Sequence, residues 1–142
     1  MYDKLNYNIE NYEFDDIESM YAWENAISEA SSEILQSFEK DDWKKLYEEL
    51  PKKSTIWKKR FYDCLPDIAE DENEIKALLL LTETDDAELF ALSLAKLENY
   101  DFSDVENIDK LYEKAEAFLP KIEDEYQKYI INSFLEKKTK SR

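Results

Sequence analysis

Apolar residues recur at three- and four-residue spacing along nearly the whole chain, the mark of amphipathic helices, and the pattern predicts an all-α fold. The densest stretch is Ser54 to Phe102, STIWKKRFYDCLPDIAEDENEIKALLLLTETDDAELFALSLAKLENYDF, which reads as three short helices joined by tight acidic turns. Ser54 is an N-cap candidate for the first, whose Trp57, Phe61, Cys64 and Leu65 form one apolar face before Pro66 breaks it. The second, near 71–82, opens with Asp71, Glu72 and Glu74 at the positive end of its dipole and offers Ile75, Leu78, Leu79 and Leu81 for burial. Asp85 is placed as the cap of the third. Its Leu89, Phe90, Leu92, Leu94, Ala95 and Leu97 are apolar almost all round, so this helix is expected at the centre of the domain.

The flanking segments have the same period. A long helix is predicted from Asp15 or Asp16 to about Glu39, with Ile17, Met20, Tyr21, Ile27, Ala30, Ile34, Leu35 and Phe38 on its apolar stripe and Glu18, Glu29 and Glu33 opposite. Asp41 is read as capping a short helix with Trp43, Leu46, Tyr47 and Leu50, which Pro51 ends. Ser103-Asp104-Val105-Glu106 matches a capping box, so a helix is predicted to start there and to turn Val105, Ile108, Leu111, Tyr112, Ala115 and Phe118 inward. Pro120 fits the first turn of a last helix, with Ile122, Tyr126, Tyr129, Ile130 and Phe134 inside, fraying into a basic tail over 136–142. Residues 1–14 alternate at Leu5, Tyr7 and Ile9 among asparagines, which predicts an extended or loosely helical arm laid on the body. The expectation is one domain spanning 1–142, of about six stacked antiparallel helices, either an α-solenoid or an irregular bundle.

Composition narrows the chemistry. No histidine and no glycine are present, which leaves out histidine triads, histidine metal sites and glycine-rich phosphate loops. With 35 carboxylates, some pair will sit at a catalytic-looking separation by chance, so no carboxylate pair is singled out as an active site, and no cofactor or metal is expected. Cys64 is the single cysteine, read as a small buried hydrophobe in a reducing compartment. The first residues lack the basic start and apolar run of an export signal, and the longest apolar run, Ala77 to Leu81, is too short for a bilayer. The expected location is the cytoplasm.

A net charge of −16 opposes nucleic-acid phosphates and anionic membrane surfaces and attracts basic partners. The one basic island, Lys52, Lys53, Lys58, Lys59 and Arg60, is read as neutralising neighbouring acidic helices. Turns that precede successive helices carry Asp71, Glu72, Asp85, Asp86, Asp101 and Asp104, and stacked helices would gather them on one acidic edge, with Tyr100 as an aromatic anchor. These seven residues are the candidate partner-binding site.

The run from Trp57 to Phe102, with its aromatic-basic helix WKKRF, the leucine run ALLLLTETDD and then ELFALSLAKLENYDF, resembles the HEAT-like all-α immunity proteins of bacterial polymorphic and contact-dependent toxin systems, closest to the family called immunity protein 30. The resemblance implies a cytoplasmic inhibitor without chemistry of its own that binds a cognate basic toxin domain, frequently a nuclease. A helical adaptor that holds a basic peptide or protein is the alternative expectation.

Overall fold

The computed structural model describes residues 1–140, without the side chains of Asp104, Thr139 and Lys140. Among them all regular structure is helical, as the periodicity predicts. The chain divides into two compact units, Met1–Pro66 and Asp67 onward.

The first unit holds α1 (Tyr2–Asn11), α2 (Ile17–Ala22), α3 (Ser28–Gln36), α4 (Lys40–Glu49) and α5 (Thr55–Asp63). Of the two expected forms of the 1–14 arm, the structure has the helical one, as a regular helix over Tyr2–Asn11. Tyr2, Leu5 and Ile9 recur at helical spacing and are buried, while Tyr7 of the supposed alternation faces solvent. The asparagines that argue against a helix have tertiary partners instead. The Asn6 carbonyl oxygen accepts from Lys53 Nζ and from Trp57 Nε1, both at 3.0 Å, and Asn8 donates to Ser31 Oγ at 3.4 Å. α1 packs on α3, α4 and α5, so helices distant in sequence share one centre and this unit is an irregular bundle rather than a solenoid of nearest neighbours. Part of the basic island serves this packing. Lys53 lies 3.7 Å from Glu10, and Arg60 donates to the Tyr12 carbonyl at 3.1 Å while stacking over Trp23.

Asp16 caps the long helix, its carboxylate accepting from Ser19 N at 2.7 Å. The rod then passes through a π turn at Trp23–Ile27 before continuing as α3. One residue inserted into a helix of 3.6 residues per turn rotates the turns before it by about 100° relative to the turns after it. The expected stripe is therefore split. Ser31 and Leu35 are buried beyond the π turn and Trp23 is buried at it, while Ile17, Met20 and Tyr21 point outward. α4 is capped by a box formed by Glu39 and Asp42 rather than by Asp41. Ser54 caps α5, accepting from Trp57 N at 3.1 Å, and Trp57, Phe61, Cys64 and Leu65 are buried as expected.

The second unit holds α6 (Glu72–Leu81), α7 (Ala87–Lys96), α8 (Ile108–Phe118) and α9 (Glu125–Lys140). α7 is its centre, packed on α6 and α9, with Leu89, Phe90, Ala91, Leu94 and Leu97 buried. Phe90 meets Phe118 edge to face at 5.2 Å between ring centroids, and Phe134 meets Phe102 at 5.1 Å and Tyr112 at 4.9 Å. α8 starts beyond the predicted capping box. Asp101, not Ser103, captures the free amide there, closing a short 3-10 turn over Phe102–Asp104, and Asn107 then takes a left-handed φ of 65° to start the helix. Pro120 likewise sits in a 3-10 turn, Leu119–Lys121, and α9 begins behind Asp124, whose carboxylate accepts from Gln127 N at 2.9 Å. The helix continues to Lys140, and Ser141 and Arg142 of the expected tail lie outside the described residues. No helix among the described residues is long and apolar enough to cross a membrane.

Candidate functional site

Asp71 is the N-cap of α6, accepting from Asn73 N at 2.9 Å and Glu74 N at 3.3 Å, with Glu72 exposed beside it. Just upstream, Ala69 N donates to the Lys96 carbonyl at 2.9 Å, which ties the start of α6 to the C-terminal end of α7. Tyr100 and Asp101 leave that same end of α7. The helix is ten residues long, about 15 Å, and Asp85 and Asp86 stand at its other end. The expected acidic edge is therefore two groups: Asp71, Glu72, Tyr100 and Asp101 at one end of α7, Asp85 and Asp86 at the other. The Asp104 side chain lies outside the described residues.

Several of these acids have structural work. Asp86, not Asp85, caps α7, accepting from Leu89 N at 2.8 Å while its own N–H donates to Thr84 Oγ1 at 3.1 Å. Asp101 accepts from Ser103 N at 2.9 Å; that hydrogen bond, the Ser103 side chain and the nearby Lys137 ammonium hold its carboxyl below the usual range. Glu74 moves the other way, because partial burial and the Asp71 charge both favour its protonated form. Tyr100 is half-buried, its ring edge-on to Phe102 at 5.0 Å, so it packs the chain's own core as much as it offers an anchor.

What lies beside the Tyr100–Asp101 group is a groove of about 320 Å³ between the end of α7 and α9. Its floor is apolar, made by Leu94, Phe102, Ile130 and Phe134. Tyr126 and Tyr129, three residues apart on α9, stand mostly exposed at its wall, and Glu98 and Glu136 mark its rim. Lys137 donates to the Glu98 carbonyl at 3.3 Å and lies 5.4 Å over the Phe102 ring, so this cation braces the groove. The sequence pattern predicts both tyrosines inside. The signal that places them outside is Glu123-Asp124-Glu125: with Asp124 as cap, Tyr126 falls in the first turn, and the core stripe of α9 begins only at Ile130 and Ile131.

A second hollow, about 460 Å³, lies between α6 and α8 and is lined by Lys76, Lys110 and Lys114 together with Glu83 and Glu106. Lys114 donates to the Thr82 carbonyl at 2.9 Å, satisfying the C-terminal end of α6, and its ammonium sits over Phe90 and Phe118. Charges of both signs line it, three lysines against two glutamates, so the wall is not built for one sign of charge. Cys64 is buried, its thiol directed at the Arg60 carbonyl. Among the described residues no cluster of three or more histidine, cysteine, aspartate or glutamate side chains is arranged to hold a metal ion.

Comparison with protein-family models, curated proteins and solved structures finds no match. The resemblance carried by Trp57 to Phe102 therefore rests on those residues alone.

Proposed function

We propose that the protein is an immunity protein, a helical inhibitor that binds and neutralises a cognate toxin domain with a basic surface. The observation that carries this reading is the α7–α9 groove: apolar floor, two exposed tyrosines and carboxylates at the rim, on a chain of net charge −16. Tyrosine supplies large contact area at low conformational cost and is over-represented among the residues that dominate interface energies. The surrounding carboxylates raise the rate of encounter with a cationic partner and select against acidic ones. A toxin that acts on nucleic acid has to present cations to phosphates, and a surface of this chemistry competes for them.

Co-expression with the neighbouring gene product, as the candidate toxin, is the direct test. Cells carrying both are expected to grow, and cells in which this protein carries Tyr126→Ala and Tyr129→Ala are expected to die. Growth arrest with the wild-type protein present would overturn the reading. Because an apolar floor of this kind can also seat a few side chains of a peptide helix, the alternative is an adaptor for a basic partner; it predicts a complex with the neighbouring protein that forms without inhibiting it.

A further inference from the structure

The outward face of α2 is what the buried core does not explain. Phe14, Ile17, Met20 and Tyr21 are 66 %, 87 %, 39 % and 70 % exposed, and α2 contributes no buried residue at all. Ile17 and Tyr21 lie one turn apart on the same face, with Met20 beside them. In an uninterrupted helix Met20 would share the side that buries Ser31 and Leu35. The π turn at Trp23–Ile27 rotates it away, so the exposure is built into the backbone. Such π insertions are frequent at functional positions. An isolated exposed apolar side chain is ordinary; four within eight residues form a patch.

Charge says what would cover it. Between Lys4 and Lys40 the chain has nine carboxylates and neither lysine nor arginine. Asp15, Asp16, Glu18 and Glu24 are exposed around the patch. Arg60 comes near from another helix, but it is engaged with the Tyr12 carbonyl and the buried Trp23 ring. A second copy of this chain would set carboxylates against carboxylates, which costs association free energy. We infer that α2 is a docking surface for a basic amphipathic helix of a protein partner, its apolar residues seated on Phe14, Ile17, Met20 and Tyr21 and its lysines or arginines facing the surrounding carboxylates. None of these residues lines the α7–α9 groove.

The test uses the full chain and a synthetic 18-residue helical peptide with leucines on one face and lysines elsewhere, titrated by calorimetry. Polylysine of equal length is the control for charge alone. The expected result is saturable binding of the amphipathic peptide, weakened at least about tenfold by Ile17→Ser with Tyr21→Ser, unchanged by Tyr129→Ala, and far tighter than polylysine. Ile17 and Tyr21 contribute nothing to the core, so the double variant should keep its helical circular dichroism and melting temperature. The inference is overturned if the peptide binds the double variant as well as the wild type, or if polylysine matches it. It is equally overturned if Tyr129→Ala removes binding instead, which would assign the peptide to the groove and leave the proposed function standing. A concentration-dependent dimer in sedimentation, abolished by the double variant, would make a second copy the occupant and overturn it as well.

Discussion

The division of labour between Asp85 and Asp86 turns on one residue of register. Asp86 Oδ2 meets the Leu89 amide at 2.8 Å, while Asp85 is exposed in the preceding turn. Asp86→Ala should cost about 1 kcal/mol, the usual worth of an N-cap, and Asp85→Ala less than about 0.5 kcal/mol in urea unfolding. Equal losses would mean that the cap is shared. Glu74 gives a pH signature. Its carboxyl is raised in the folded state by burial and by Asp71, so the folded protein holds this proton more tightly than the unfolded chain does. Stability is therefore lost as pH rises from the unfolded carboxylate pKa through the raised folded one. Glu74→Gln removes that loss: it should match the wild type in acid and exceed it at neutral pH, by an amount read as the difference between the two melting curves.

At the scale of elements, the test of the first unit is a pair of aliphatic positions that the hydrophobic pattern does not distinguish. Leu5 on α1 is fully buried and Ile17 on α2 is 87 % exposed. Leu5→Ala should cost about 3 kcal/mol through the cavity it leaves, whereas Ile17→Ala should change stability by less than about 0.5 kcal/mol. An extended N-terminal arm and a straight first helix would give the reverse order. The all-helical class, the Ser54 cap, the start of the long helix at Asp15 or Asp16, the acidic opening of α6 and the central place of α7 are legible in the sequence because each is local, a side chain acting within one turn or an apolar surface too wide for a boundary position. α1 is only half legible, one of two forms the arm could take, because Asn6 and Asn8 disfavour a helix by themselves and their compensation by Lys53, Trp57 and Ser31 is tertiary. The π turn is hidden for a different reason: Trp23-Glu24-Asn25-Ala26-Ile27 has no local composition that marks it, and only the burial of Trp23 together with the later stripe requires it. Of the candidate site, Tyr100 and Asp101 lead to the groove. Its tyrosines escape the sequence pattern because Pro120 is as good a local signal for a helix start as Asp124, and only the structure shows that α9 begins behind the aspartate.

For the whole molecule, the dominant quantity is a net charge of −16 carried by a chain whose basic side chains are in part engaged with its own carbonyls, carboxylates and rings. Lys53, Arg60, Lys114 and Lys137 brace helices, leaving carboxylates such as Glu98 and Glu136 to face outward around apolar and aromatic surface. That combination fits recognition of a cationic protein, with long-range attraction governing how fast partners meet and desolvated tyrosines governing how long they stay. The measurement that tests this most directly is the affinity of the full chain for the neighbouring gene product, at roughly 0.05 M and 0.5 M salt, with and without Tyr126→Ala and Tyr129→Ala. Screening over a Debye length that shrinks from above about 10 Å to a few ångströms should slow association strongly, and loss of the two tyrosines should speed dissociation at least about tenfold. An affinity that ignores both salt and the tyrosine substitutions would contradict the proposed function.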